Sequence, residues 1–214
     1  MRQAIIAILL LSMVAMGQII QLPPPPGNDI DLHSAIESRR SRRTFGDGAV
    51  TFEQISELLW SSAGITDPGG RLRAAPSAGA TYPVDTYILV ERAEGLAPGL
   101  YRYIEKDHAL ELIEEGNLAG KLSEASLGQN SVRTAAVSIL LYVIVERTAS
   151  RYGDRADRYV NMEVGHIAQN IYLTAEGLNL STVAIGAFDD DAVAQLFEVD
   201  GALRYYMAIG TRPE

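Results

Sequence analysis

Asp157 to Leu178 reads DRYVNMEVGHIAQNIYLTAEGL, and its apolar positions Val160, Val164, Ile167, Ala168, Ile171, Ala175 and Leu178 recur at intervals of three and four. That spacing puts them on one face of a long amphipathic helix, which needs a broad apolar surface to lie on. Just upstream, Ala136 to Val145 is a continuous β-branched and aliphatic run, the pattern of a strand buried on both faces and therefore central in its sheet. Further strands are expected at Val84 to Glu91, Thr182 to Ile185 and Leu203 to Ile209. Gly99 to Ile104 and Leu110 to Ile113 read as a hairpin turning at Lys106-Asp107-His108.

Shorter helices fill the intervals. One spans Leu32 to Glu37 with Asp31 as its cap. A second opens on the Thr51/Gln54 capping-box pattern, carries Phe52, Ile55, Leu58 and Leu59 at helical spacing, and ends at Gly64. Others are expected from Leu118 to Leu127 and after Asp189. Together these elements predict an α+β layered fold, a mixed central β-sheet flanked by helices, with no internal repeat.

With 214 residues, 47% of them hydrophobic and 21% charged, the chain can bury the core of one ordinary domain. A net charge of -9 argues against a nucleic-acid partner, which would call for a basic face. Any anionic ligand must then be held by a local basic cluster. The absence of cysteine excludes disulfides, thiolate nucleophiles and Cys-ligated metals.

The first residues have a different character. Met1-Arg2 precedes an apolar run from Ala4 to Met16, too short for a comfortable bilayer span, and Ala15-Met16-Gly17 offers small residues for a signal-peptidase cut before Gln18. Residues 1–21 are expected to be a signal peptide or, because the apolar stretch resumes at Ile19-Ile20, a membrane anchor. This predicts an extracytoplasmic protein, secreted or tethered through this segment alone. Pro23 to Pro26 is expected to act as a stiff spacer before a folded domain of residues 22–214.

Three segments could carry chemistry. Arg39-Arg40-Ser41-Arg42-Arg43-Thr44-Phe45 sets four guanidinium groups around one hydroxyl, donors suited to phosphate oxygens; a solvated or lipid-facing basic patch is the plainer alternative. The stretch from Ala63 to Thr81 is long for a mere connection, and it ends in Pro76-Ser77-Ala78-Gly79-Ala80-Thr81-Tyr82-Pro83. Its small side chains would let backbone approach a flat ligand. Ala184-Ile185-Gly186-Ala187-Phe188-Asp189 is a second bend of this kind. No metal site is expected: Glu163 and His166 form a Glu-x-x-His pair without the second pair a di-iron centre needs, and His166 reads as an interior or interface histidine. Gly-x-Ser-x-Gly and Gly-x-Gly-x-x-Gly motifs are absent.

Taken in order, these segments resemble the nitroreductase family of FMN-dependent enzymes, in its SagB-type, azoline-oxidase-related branch. The resemblance runs from about Leu22 to Gly210. It includes Ala75 to Pro83, Gly99-Leu100-Tyr101-Arg102-Tyr103, Gly165-His166-Ile167-Ala168-Gln169-Asn170 and the closing Ala208-Ile209-Gly210. It implies a homodimer with FMN at the subunit interface and hydride exchange at flavin N5 with a small-molecule or peptide-derived substrate, NAD(P)H being a possible donor. By position, Arg39 and Ser41, helped by Arg40, would hold the phosphate and ribityl chain, and Arg43 would reach the N1/O2 end of the ring. Ser77, Ala78 and Gly79 would line the flavin from the partner subunit. Gly186, with Ala187 beside it, would turn its N–H to N5, and Arg212 would take the place of a basic C-terminal phosphate contact.

Azoline oxidases of this branch use a Lys-Tyr pair, matched here by Arg151 and Tyr152. Arginine keeps its proton at any ordinary pH, so Arg151 is a poor base, and Tyr152 remains as the expected proton donor. The rival reading from another class is an extracytoplasmic flavin-binding protein without turnover.

Overall fold

The computed structural model describes residues 17–213. Seven strands, β1 (Ile19–Gln21), β2 (Val84–Val90), β3 (Gly99–Ile104), β4 (Ala109–Glu115), β5 (Val137–Val143), β6 (Leu180–Ile185) and β7 (Ala202–Thr211), form one sheet in the order β1-β4-β3-β2-β5-β7-β6. Helices α1 (Leu32–Ser38), α2 (Phe52–Ala63), α3 (Ala119–Ala125), α4 (Asn130–Arg133), α5 (Val145–Tyr152), α6 (Ala156–Gly177) and α7 (Asp190–Ala194) cover it. Every residue of β2 and β5 is buried, as expected of strands at the middle of a covered sheet.

The two faces carry separate cores. On one, Val160, Val164, Ile167 and Ile171 of α6 and Ile55, Leu58 and Leu59 of α2 pack on Ile88, Ile139, Leu141 and Met207. On the other, Leu122 of α3 and Val193 of α7 join Leu89, Leu140, Tyr142 and Tyr206. Alternation along each strand sorts the side chains between the faces, so one register serves both cores.

The α+β layering and the main elements follow the sequence expectation, with one difference in the sheet. All six ladders between neighbouring strands are antiparallel, and the sheet is not mixed. The crossover from β5 through α5 and α6 does produce a parallel relation to β6. However, β7 returns between those two strands and pairs with both. A gap left by a crossover was filled by a strand running the other way, which periodicity cannot reveal.

The domain also begins earlier than expected. Ile19–Gln21 pairs with β4 in register Ile19↔Glu111 to Gln21↔Ala109, and Gly17 N–H donates to Leu112 O at 3.2 Å. The proline stretch is fastened to the body. Leu22 is buried, Ser56 Oγ donates to Pro23 O at 2.6 Å, His108 Nε2 lies 3.0 Å from the same oxygen, and Gly27 N–H donates to Glu57 Oε2 at 2.8 Å. The boundary at 21/22 therefore moves to the N-terminal side of β1, and Pro23 to Pro26 is no free spacer. The Ala4–Met16 run lies outside the described residues, among which no helix is long and apolar enough to cross a membrane.

A chain starting at Leu22 is expected to melt about 5 °C below one starting at Gln18. It loses a hydrogen-bonded edge strand worth on the order of 2 kcal/mol, and a domain of this size shifts by roughly 2–4 °C per kcal/mol. Thermal denaturation of the two chains followed by circular dichroism checks this, and equal midpoints would show that β1 contributes nothing.

Candidate active site

β6 is an edge strand, and what it does with its outer edge organises one half of the site. Its even-numbered residues turn their backbone polar groups away from β7. Thr182 O accepts the Arg42 N–H at 2.9 Å, and Ala184 N–H donates to Tyr172 Oη at 2.9 Å. The ladder with β7 ends at Ile185↔Tyr206, and the exposed Gly186 follows directly at this end of the strand.

Tyr172, on α6, also bonds Ser41 Oγ at 2.8 Å, and Arg39 lies over its ring at 5.1 Å. Tyr172 is not among the site residues that the sequence suggests. Its signal was the i+6 position after His166, on the helix flank that meets β6, which only the helix rotation reveals.

The arginines divide into two sets. Arg42 and Arg212 both bond the buried carboxylate of Glu176, Arg212 Nη2 at 2.7 Å. They lock the arginine segment and the end of β7 to α6. Arg212, expected as a ligand contact, has its Nη2 turned to this internal acid. Arg39, Arg40 and Arg43 have no acidic partner among the described residues. Arg40 Nη1 donates to the carbonyls of Glu37 and Arg39, closing the end of α1, while Arg43 and Ser41 are exposed. Phe45 then anchors the segment by lying on Gly210, where an added Cβ would sit 2.8 Å from Phe45 Cβ.

The second half of the site is the Ser77 loop. Gly79 adopts φ +61°, a conformation that favours glycine, and a Cβ there would lie 2.7 Å from Tyr152 Oη. Arg151 Nη1 donates to Gly79 O at 3.1 Å, and Thr81 Oγ1 meets Thr148 Oγ1 at 2.8 Å. Tyr82 N–H donates to Ser77 Oγ at 2.9 Å. The helix that presents Arg151 and Tyr152, α5, was not foreseen. Its sequence VERTASRY is largely polar, and it is held from outside itself: Arg147 grips Asp85 through both nitrogens at 2.6 and 3.0 Å.

The structure thus groups Arg39, Arg40, Ser41 and Arg43 along the edge that leads to Gly186 and Ala187, and groups Ser77, Ala78 and Gly79 with Arg151 and Tyr152. No hydrogen bond or ion pair joins the two groups among the described residues. His166 is exposed on α6, outside the core, and no cluster of potential metal ligands occurs among the described residues.

The nitroreductase family profile matches residues 36–211, which span both groups. The chain belongs to the nitroreductase family. A protein named as a nitroreductase in Methanocaldococcus jannaschii is 35% identical over 199 residues, 93% of this chain and 100% of that protein. The microcin B17-processing protein of Escherichia coli is 28% identical over 156 residues, 71% of this chain but 57% of that protein. A crystal structure assigned as a nitroreductase from Anabaena variabilis superposes with a TM-score of 0.81 at 29% identity, covering 93% of this chain and 42% of that one. Within this family the chain is an FMN-dependent oxidoreductase.

The residues present fit that cofactor. Three guanidinium groups without acids and an exposed hydroxyl suit a phosphate, in a chain that is otherwise acidic. Tyr172→Phe removes the partner of both Ser41 Oγ and Ala184 N–H and is expected to weaken FMN binding about tenfold with the fold intact, the usual scale of one or two lost hydrogen bonds. Fluorescence titration with FMN, alongside circular dichroism, checks it; unchanged affinity would remove Tyr172 from the site.

Proposed function

We propose that this nitroreductase works as a homodimer and exchanges a hydride between a donor such as NAD(P)H and a small-molecule or peptide-derived acceptor. The observation that carries the reading is the row of Arg39, Ser41 and Arg43 beside the outward edge of β6, which ends immediately before Gly186. Arg39 and Ser41 hold the phosphate and ribityl chain, with Arg40 closing the helix end behind them. Arg43 places positive charge near the N1/O2 end of the ring, and the Gly186 N–H, with Ala187 following, faces N5. Arg212 acts through Glu176, steadying the segment. Bound FMN would supply the two-electron chemistry at N5.

The dimer reading draws support from α6. Arg158, Met162, Gly165, His166 and Gln169 form an exposed stripe on that helix, and Met162 is 52% exposed. A second subunit on such a stripe would bring its Ser77, Ala78 and Gly79 to the flavin, consistent with two groups of site residues that no hydrogen bond or ion pair joins among the described residues.

In this reading Tyr152 gives a proton as the acceptor is reduced. Arg151 ties down Gly79, and an arginine does not serve as a base near neutral pH, so conversion of azolines to azoles, which needs one, is outside this activity. The basic start, apolar run and Ala15-Met16-Gly17 support export or anchoring through residues outside the described structure, and a cut before Gln18 leaves β1 whole.

The purified chain starting at Gln18 tests the reading. It should show flavin absorption, release FMN on denaturation, and turn over steadily with a reduced nicotinamide and an organic acceptor. Failure to bind FMN on reconstitution would end the cofactor assignment. Binding without any turnover would favour a flavin-carrying role.

A further inference from the structure

Gly186 reads as the contact to flavin N5, yet its backbone does not itself call for glycine, since its φ lies outside the positive region. The reason for a glycine lies across the strand. A Cβ added at 186 would sit 3.2 Å from Tyr205 Cε2 and 3.4 Å from Tyr205 Cδ2, so the ring fills the space that a side chain would need.

Tyr205 reaches that place through an irregularity in β7. Its register with β5 runs from Val137↔Ile209 to Leu141↔Tyr205 and resumes at Tyr142↔Leu203, which leaves Arg204 without a counterpart on β5. Alternation breaks at the same point. Met207 and Ile209 lie in the core beneath α6, with Tyr205 packed against it, whereas Tyr206, Ala208 and also Leu203 belong to the opposite core. Arg204 is therefore the extra residue of a β-bulge, exposed and paired with Asp157 at 3.0 Å at the start of α6. A bulge bends its strand and re-aims the side chain beside it. Here the ladder with β6 stops at Ile185↔Tyr206, one position before Gly186 and Tyr205 would pair. Gly186 is left outside the ladder and exposed, with the half-buried Tyr205 ring against it.

We propose that Tyr205 is a positioning residue for the flavin: its ring braces Gly186 where the ladder has ended, so that the Gly186 N–H keeps one place toward N5. This rests on Gly186 facing N5, as read above. Such an N–H distinguishes the two states of the cofactor. Oxidised FMN offers a lone pair at N5 that accepts a hydrogen bond, whereas reduced FMN carries a hydrogen there. Loosening the brace therefore costs affinity for the oxidised form and much less for the reduced one.

The test is the dissociation constant of oxidised FMN, by fluorescence titration, and the midpoint potential of the bound flavin, for the whole chain and for Tyr205→Ala, Tyr205→Phe, Gly186→Ala and the double variant Gly186→Ala with Tyr205→Ala. Tyr205→Ala should bind oxidised FMN about fivefold more weakly, the scale of one neutral hydrogen bond, with a smaller change for reduced FMN, so the midpoint potential rises. Tyr205→Phe keeps the ring and should restore both quantities. Gly186→Ala should show a similar loss, because its methyl group meets the ring; its exposed position keeps the test valid if Tyr205→Ala does not fold. In the double variant the methyl group has room, and the loss should stay near fivefold, short of the roughly 25-fold of two independent effects. Unchanged affinity and potential in either single alanine variant, a loss in Tyr205→Phe equal to that in Tyr205→Ala, or additive losses in the double variant would overturn this proposal alone. Absence of FMN binding by the unsubstituted chain would instead remove the flavin reading, and this proposal with it.

Discussion

Arg39→Ala should weaken FMN binding by about 2 kcal/mol or more, roughly 30-fold, without unfolding the protein. Arg39 stands at the C-terminal end of α1, where its backbone N–H closes the helix on Ala35 O, a bond that alanine keeps. Among the described residues its guanidinium pairs with no acid, and it lies over the Tyr172 ring. The substitution therefore removes a ligand contact and very little of the fold. Arg42→Ala makes the contrast. There the buried Glu176 carboxylate would lose one of its two arginines, so stability should fall more than the intrinsic FMN contact. Fluorescence titration and thermal melting of the two variants separate these outcomes. An Arg39→Ala protein that binds FMN as tightly as wild type would place the phosphate elsewhere.

Tyr152→Phe should retain FMN yet slow substrate turnover by roughly 10²-fold, the scale of one general acid–base contribution. The hydroxyl sits over Gly79, at the tip of the loop assigned to the flavin, and it is close enough that a methyl group on that glycine would collide with it. The ring is held edge-on by Tyr159 at 4.8 Å, and Arg151 lies 5.7 Å from its centre, so phenylalanine should keep the ring's position. What is lost is the transferable proton. Steady-state kinetics at saturating acceptor, with the flavin content of each preparation measured, checks the expectation. Wild-type turnover would show that Tyr152 only packs, and robust azoline oxidation by the unmodified protein would sink the argument that Arg151 cannot serve as a base.

Much of the fold was legible because it rests on local rules. The α6 periodicity, the Thr51/Gln54 capping box, the Asp31 and Asp189 caps and the buried β5 run are each written within one turn or one strand, and the structure carries all of them. The candidate site was legible for a different reason. Arginines clustered in an acidic chain, and glycines at bends, are anomalies of composition that can be seen without coordinates.

Other features depended on partners distant in the chain. The polar α5 offered no apolar stripe, because Asp85 of β2 secures it from 62 positions away. Ile19-Ile20 looks alike in an anchor and in an edge strand until β4 is found beside it. Which arginines are free and which are neutralised was decided by Glu176, more than 130 residues beyond Arg42, and the pairing of Ser41 with Tyr172 by the rotation of α6 against β6. Sequence by itself determined the inventory of charge and those elements with a local apolar pattern or cap, since both follow from neighbours within a few residues. Only the tertiary structure decided the antiparallel sheet order, the start of the domain and the division of the arginines, because each is a choice among contact partners that packing alone can make.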